Sequence, residues 1–277
     1  MSMEHLFDRI EQLPPIPQLL HELMQSFADD SVSVDEIAGK IAMDPVISVK
    51  LLQMANSAAF HRGSDVTSIE QAVIRLGFNR LRSLVVALGL MHSFATPNDF
   101  DRNRFWTNTF QTASIARILA EQCGSVEPDT AFTCALIHNI GELLLQTTMP
   151  GEAALIDLAI SRGTQRVQAQ RDTLGFDYAQ LGAELARRWR LSGTFVTALA
   201  QQLDPLAYEP VSREAVLIRL ATFVSYAWNA GVPARAIVAR FPKPLAEPLG
   251  LDPSKLANQL EILHEQGNAL ADILTTQ

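Results

Sequence analysis

The chain has 277 residues, 48% of them hydrophobic, which is enough to bury a sizeable core in one unit or in two lobes. A formal net charge of −8 sets the molecule as a whole against a phosphate backbone and excludes general nucleic-acid binding as the expected activity. Two cysteines, Cys123 and Cys134, exclude a disulfide framework, and the longest uncharged apolar run, LVVALGLM at 84–91, excludes a membrane span.

In chain order the periodicity is helical nearly throughout, and strand signals are almost absent. After the breaker LPPIP, the spacing of Leu19, Leu20, Leu23, Met24 and Phe27 predicts an amphipathic helix. Ser33 with Glu36 forms a capping box that opens SVDEIAGKIA, and Asp44 with Pro45 is an N-cap and first-turn proline that opens DPVISVKLLQMANS. Thr67 with Glu70 starts IEQAVIRL, Gly77 ends it, and FNRLRSLVVALGLMHSF carries the next helix. The polar, turn-rich ATPNDFDRN at 95–103 marks the boundary between a lobe at 1–95 and a bundle at 104–228. Within the bundle, helices are expected at about 104–122, 128–146, 150–161, 164–173, 177–190 and 193–203, followed by the break LDPLAYEPVS and the long helix SREAVLIRLATFVSYAWNAG. A proline-punctuated link, FPKPLAEPLGLDP, and a last helix from about Ser254 make a C-terminal extension over 229–277.

MSMEHLFDR has no basic end followed by an apolar core, so no secretory leader is expected and the location is expected to be cytoplasmic. Both thiols are then expected to be reduced, with Cys134 an inert core residue. Two basic clusters, Arg75/Arg80/Arg82 and Arg187/Arg188/Arg190, have no aromatic residues interleaved and read as solvated helix faces. There is no glycine-rich phosphate loop, nucleophile elbow, short-spaced cysteine pair or calcium loop.

Three stretches, LPPIPQLLHELMQ, IAMDPVISVKLLQMANSAAF and SIEQAVIRLGFNRLRSLV, resemble in order and spacing the N-terminal lobe of the HDOD family, the HD-related output domain of bacterial signalling. The motif positions that carry the likeness are Asp44, Pro45, Asn56, Ser57, Leu76 and Gly77. They read first as helix caps, Asn56 and Ser57 at a C-terminus and Gly77 at a left-handed turn. FWTNTFQTASIARILA, CALIHNIGELLL and GFDYAQLGAELARRWRL are similar to the family's remnant of an HD phosphohydrolase bundle. The resemblance covers about residues 6–228 and implies an all-α, two-lobed fold with an HD-like second lobe.

An HD enzyme holds a divalent cation with a His, an adjacent His-Asp pair and a later Asp, and that cation activates water and polarises a phosphoryl oxygen. Carried onto this chain, the resemblance puts those positions at Asn108, at His138 with Asn139, and at Thr222, so one good ligand remains. A further family His aligns near Tyr178, and Gln201 and Gln202 occupy another His-rich spot. Neutral substitutes leave nothing to offset dehydration of a hard cation. His138 and Glu142, at i and i+4, are expected as a hydrogen-bonded polar pair on one helix face rather than as ligands. His5, His21, His61, His92 and His264 are scattered without ligand spacing.

The resemblance with these substitutions implies a non-catalytic signalling output or adaptor that needs no cofactor and acts through contacts with other signalling proteins, its input coming from a separate chain. The competing expectations are a metal-dependent HD-type phosphohydrolase acting on a nucleotide or cyclic dinucleotide, and a cyclic-dinucleotide receptor that binds without cleaving.

Overall fold

The computed structural model describes residues 3, 6–7, 33–42, 45–57, 65–77, 81, 84–87, 89, 94, 97, 100–257 and 259–260. The described residues form helices, turns and no strand. The predicted helix at 16–27, Asp44, Arg80, Arg82, the five scattered histidines and the tail beyond 260 lie outside them.

The N-terminal helices are α1 (Val34–Ala42), α2 (Pro45–Ala55) and α3 (Ile69–Leu76). The Glu36 amide donates to the Ser33 hydroxyl at 3.1 Å, as the capping signal requires. The Ser48 hydroxyl then donates to Ile41 O at 3.0 Å and ties α2 to the end of α1. The cap of α3 sits one residue later than expected. Ser68, not Thr67, accepts from the Gln71 amide, while the Gln71 side chain accepts from the Thr67 amide. Adjacent hydroxyls each stand three residues before an acid or an amide, so sequence alone leaves that register open.

The bundle that follows comprises α4 (Arg102–Cys123), α5 (Pro128–Leu136), α6 (Ile140–Thr148), α7 (Pro150–Ser161), α8 (Arg166–Leu174), α9 (Tyr178–Arg188), α10 (Gly193–Gln201) and α11 (Arg213–Asn229). Of its helices, α4 packs along both α5 and α11, and α9 packs against α6 and α10. A short helix α12 (Ala234–Ala239) precedes the proline-rich link, and the link is less irregular than expected, since it holds α13 (Lys243–Ala246) and a 3-10 turn at Glu247–Leu249 ahead of α14 (Pro253–Ala257).

Buried side chains from Leu6 to Leu260 join one hydrophobic cluster. Phe94 meets Trp189 at 6.1 Å between ring centroids, and the Arg188 guanidinium lies 4.4 Å from the Phe7 ring centre. The C-terminal end of α9 therefore carries the contact between N-terminal residues and the bundle.

The expected helix at 128–146 is two helices. Ile137, His138 and Asn139 interrupt it, with hydrogen bonds tightened to Ile140 N–Ile137 O and Glu142 N–Asn139 O. Two tertiary contacts hold the break open. Gln202 Nε2 donates to the His138 carbonyl at 2.8 Å, and Gly141 brings α6 into backbone contact with α9. A Cβ on Gly141 would run into the Tyr178 carbonyl and lie 2.7 Å from the Gly182 nitrogen. Only the paired glycines permit that crossing.

Candidate functional site

The α5–α6 break buries His138 and brings the half-buried Asn139 to Thr109 on α4. His138 is buried, and its Nδ1 lies 2.5 Å from Ala135 O. A carbonyl only accepts, so Nδ1 carries the proton and Nε2 keeps its lone pair. Burial lowers the imidazole pKa to about 4, against the smaller opposing effect of that hydrogen bond, so the ring is neutral at pH 7.

Each position that the resemblance aligns with an HD ligand is engaged by protein. Asn139 Nδ2 donates to Thr109 Oγ1 at 3.0 Å, joining the break to α4. Asn108 Oδ1 accepts from Asn229 Nδ2 at 2.9 Å, and the same Asn229 group reaches Gln111 Oε1 at 2.9 Å, which fastens α4 to α11. The Thr222 hydroxyl donates to Ile218 O, four residues back on its own helix, at 2.8 Å. Asn139 occupies the N-cap position of α6 without capping it, because its side chain is spent across the bundle.

The expected His138–Glu142 pair is replaced by separate partnerships. The helix break turns the imidazole toward Ala135. The buried Glu142 carboxylate instead receives Arg166 Nη1 at 2.6 Å and Gln170 Nε2 at 2.7 Å, with Gln146 at 3.5 Å. Gln170 Oε1 in turn accepts from the Tyr178 amide at 2.9 Å. Arg166, Glu142 and Gln170 thus anchor the start of α9, where Asp177 completes a capping box with Gln180 and also takes Arg171 at 2.7 Å. Tyr178 stands where a further histidine aligns. Burial, with smaller and opposing effects of Arg219, Glu142, Asp177 and Arg166, pushes its phenol up to about 12. Gln201 accepts from the Ser212 amide at 2.8 Å, so it too holds backbone.

Among the described residues, no group of three or more His, Cys, Asp or Glu side chains is placed to hold a metal. The donor chemistry does not suit a divalent cation. One imidazole remains, the two amides and the hydroxyl are neutral, and the nearby carboxylate is already neutralised by Arg166. Cys134 is buried, and burial raises its thiol well above the ordinary range. No described helix is long and apolar enough to cross a membrane.

The motif positions of the N-terminal helices form a second set of contacts. Asn56 does more than cap α2: its amide donates to Val66 O at 2.8 Å and accepts from Val66 N at 2.7 Å, clamping the approach to α3. Ser57 Oγ donates to Met54 O at 2.7 Å. Leu76 is buried, and Gly77 ends α3 not in the left-handed turn expected of it but at φ 79° with ψ 149°, a conformation reserved to glycine. Arg75 Nη1 reaches Ala55 O at 3.4 Å, across to α2, so that arginine faces a neighbouring helix end as well as solvent.

Gly141, the anchors Arg166 and Gln170 of Glu142, and Asn229 are the site residues missed by sequence reasoning. The signal for the first was present, because a glycine inside an apolar helical run marks a close backbone approach, and Gly182 supplies its counterpart.

The HDOD domain family model matches residues 13–205. A protein of Treponema pallidum is 30% identical over 195 residues, 66% of this chain and 36% of that one, so the chain spans about a third of that relative's length. A candidate phosphohydrolase of Shewanella amazonensis has a crystal structure 32% identical, with TM-score 0.85, covering 99% of this chain and 100% of that chain. An HDOD domain protein of Geobacter sulfurreducens, 20% identical, has TM-score 0.84 over 99% and 97% of the two chains. A candidate signal transduction protein of Marinobacter aquaeolei, 22% identical, has TM-score 0.81 over 99% of this chain and 65% of that one. The latter two likenesses show the fold.

Proposed function

Since the chain belongs to the HDOD family, we propose that it is a non-catalytic output or adaptor module in bacterial signal transduction, working through contacts with other signalling proteins. One observation carries the proposal: the positions that would cage a metal spend their side chains on the protein itself, Asn139 on Thr109, Asn108 on Asn229 and Thr222 on Ile218. Two of those bonds are struts, Asn139–Thr109 between the start of α6 and α4 and Asn108–Asn229 between α4 and α11, while Thr222 is tied within α11. Neutral struts give a water molecule no help in losing its proton.

A phosphohydrolase reading draws on the name carried by the Shewanella neighbour described above. Against it stands the donor set just described. A receptor that holds a cyclic dinucleotide without cleaving it draws on Arg219, whose charge reaches the Tyr178 phenol, but that single guanidinium does not define a phosphate site. Duplex nucleic acid is not among the partners we propose, given the net charge of −8.

The adaptor reading is tested in the organism that carries the gene. In a deletion strain, His138→Gln and Asn139→Ala variants present at wild-type abundance should restore the phenotype fully. Loss of rescue by a folded, equally abundant His138→Gln protein would contradict it.

A further inference from the structure

We infer that the segment 204–214, between α10 and α11, is a docking surface for a basic, amphipathic segment of a partner protein; the inference rests on the adaptor reading and gives that reading a place on the molecule. Within six residues this turn exposes Leu206, Tyr208 and Val211 at 47%, 43% and 39% of their full accessible areas. Scattered single apolar residues on a surface carry no message, whereas three on one short turn do.

The turn is held rather than loose. Pro205 is buried beneath it and a single 3-10 turn spans Pro205–Ala207. From below, the buried Gln201 side chain accepts from the Ser212 amide at 2.8 Å and donates to the Pro210 carbonyl at 3.4 Å. Ser212 then caps α11 by accepting from the Ala215 amide at 3.1 Å. Apolar anchors on a preorganised turn lose little conformational freedom when a partner covers them, and tyrosine is a favoured anchor of this kind.

Charge selects the occupant. Asp204, Glu209 and Glu214 bracket the apolar residues, while the local base, Arg213, turns its guanidinium to Ser125 O at 3.5 Å. A second copy of the chain docking symmetrically would bring Asp204 and Glu209 against their own counterparts, and an anionic lipid surface would meet the same repulsion. A segment with apolar residues on one face and Lys or Arg on the other satisfies both features. Leu155 and Leu158 on α7 are exposed as well, but of the two acids beside them, Glu152 and Asp157, the latter already accepts from Gln146 Nε2 at 3.2 Å.

The test uses the full chain in its own cells, with a photo-crosslinking amino acid placed singly at Leu206, Tyr208, Ile74 or Leu155, all exposed, and the crosslinked peptides sequenced by mass spectrometry. The expected result is a protein adduct from positions 206 and 208, joined to a peptide of net positive charge, whose yield falls about tenfold when Asp204→Lys and Glu209→Lys are added. Adducts to the chain itself, to lipid or to an acidic segment would overturn the inference, as would a yield indifferent to charge reversal or no adduct from 206 and 208. Adducts confined to Ile74 or Leu155 would sink this surface and leave the adaptor reading standing. Silence at every position, together with phosphoesterase turnover by the purified protein, would remove both.

Discussion

His138 is the buried base through which pH acts on the fold. Its folded pKa of about 4 lies below the ordinary imidazole value of 6.5. Between those values the unfolded chain binds a proton that the folded chain does not, so acidification favours unfolding throughout that window and adds nothing above it. The full span is worth on the order of 3 kcal/mol. Urea midpoints measured at pH 7, 5 and 4 should therefore fall more steeply for the wild type than for His138→Gln; equal slopes would show that the imidazole is not buried neutral. Gly141 makes a complementary demand. Gly141→Ala forces a methyl group into the α9 backbone and should cost about 3 kcal/mol or more, because neither backbone can yield as a side chain would. Gly39 in α1 has nothing within 4 Å of where its Cβ would lie, so Gly39→Ala should be neutral or stabilising by about 0.5–1 kcal/mol. Thermal unfolding of the two variants side by side separates a steric role from a propensity effect.

At the scale of elements, α9 joins its own capped start to the N-terminal residues at its end. The end is a Schellman-type turn in which the Leu191 amide bonds Ala186 O at 3.0 Å, with Arg190 at φ 56° where glycine is usual. Arg190→Gly should relieve that conformation and raise stability by about 0.5–1 kcal/mol, read as a higher urea midpoint; an unchanged or lower midpoint would mean that Arg190 is held by contacts worth more than its strain. The caps show how far sequence reaches into such elements. Ser33 and Gly77 announce helix ends through local chemistry, and the structure places those ends there. The interruption at 137–139 does not announce itself, because the apolar period runs on through Ile137 and Ile140 and the helix is broken by distant residues, Gln202 and the α9 backbone. The same limit explains the mistaken His138–Glu142 pair: i,i+4 geometry holds only along an unbroken helix, and Arg166 and Gln170 come from a helix whose packing no local pattern reveals.

Across the whole molecule, the bundle is HD-like, and the side chains at Asn139 and Asn108 tie α4 to the start of α6 and to α11. The all-helical class and the family were legible because the periodicity and the N-terminal motifs are local and dense. The fate of the remnant positions was legible as chemistry, through lost charge, but not as geometry, since Asn229 and Thr109 are far from their partners in sequence. With His138 as the remaining good ligand and Glu142 neutralised by Arg166, the site is expected to perform no metal-dependent hydrolysis. The most direct measurement is turnover of phosphodiester and nucleotide substrates by protein purified without chelator and assayed with manganese, iron, nickel and magnesium, with bound metal quantified on the same sample. No stoichiometric metal and no turnover above the buffer background are expected. About one metal per chain, with turnover abolished in a folded His138→Ala variant, would contradict that expectation.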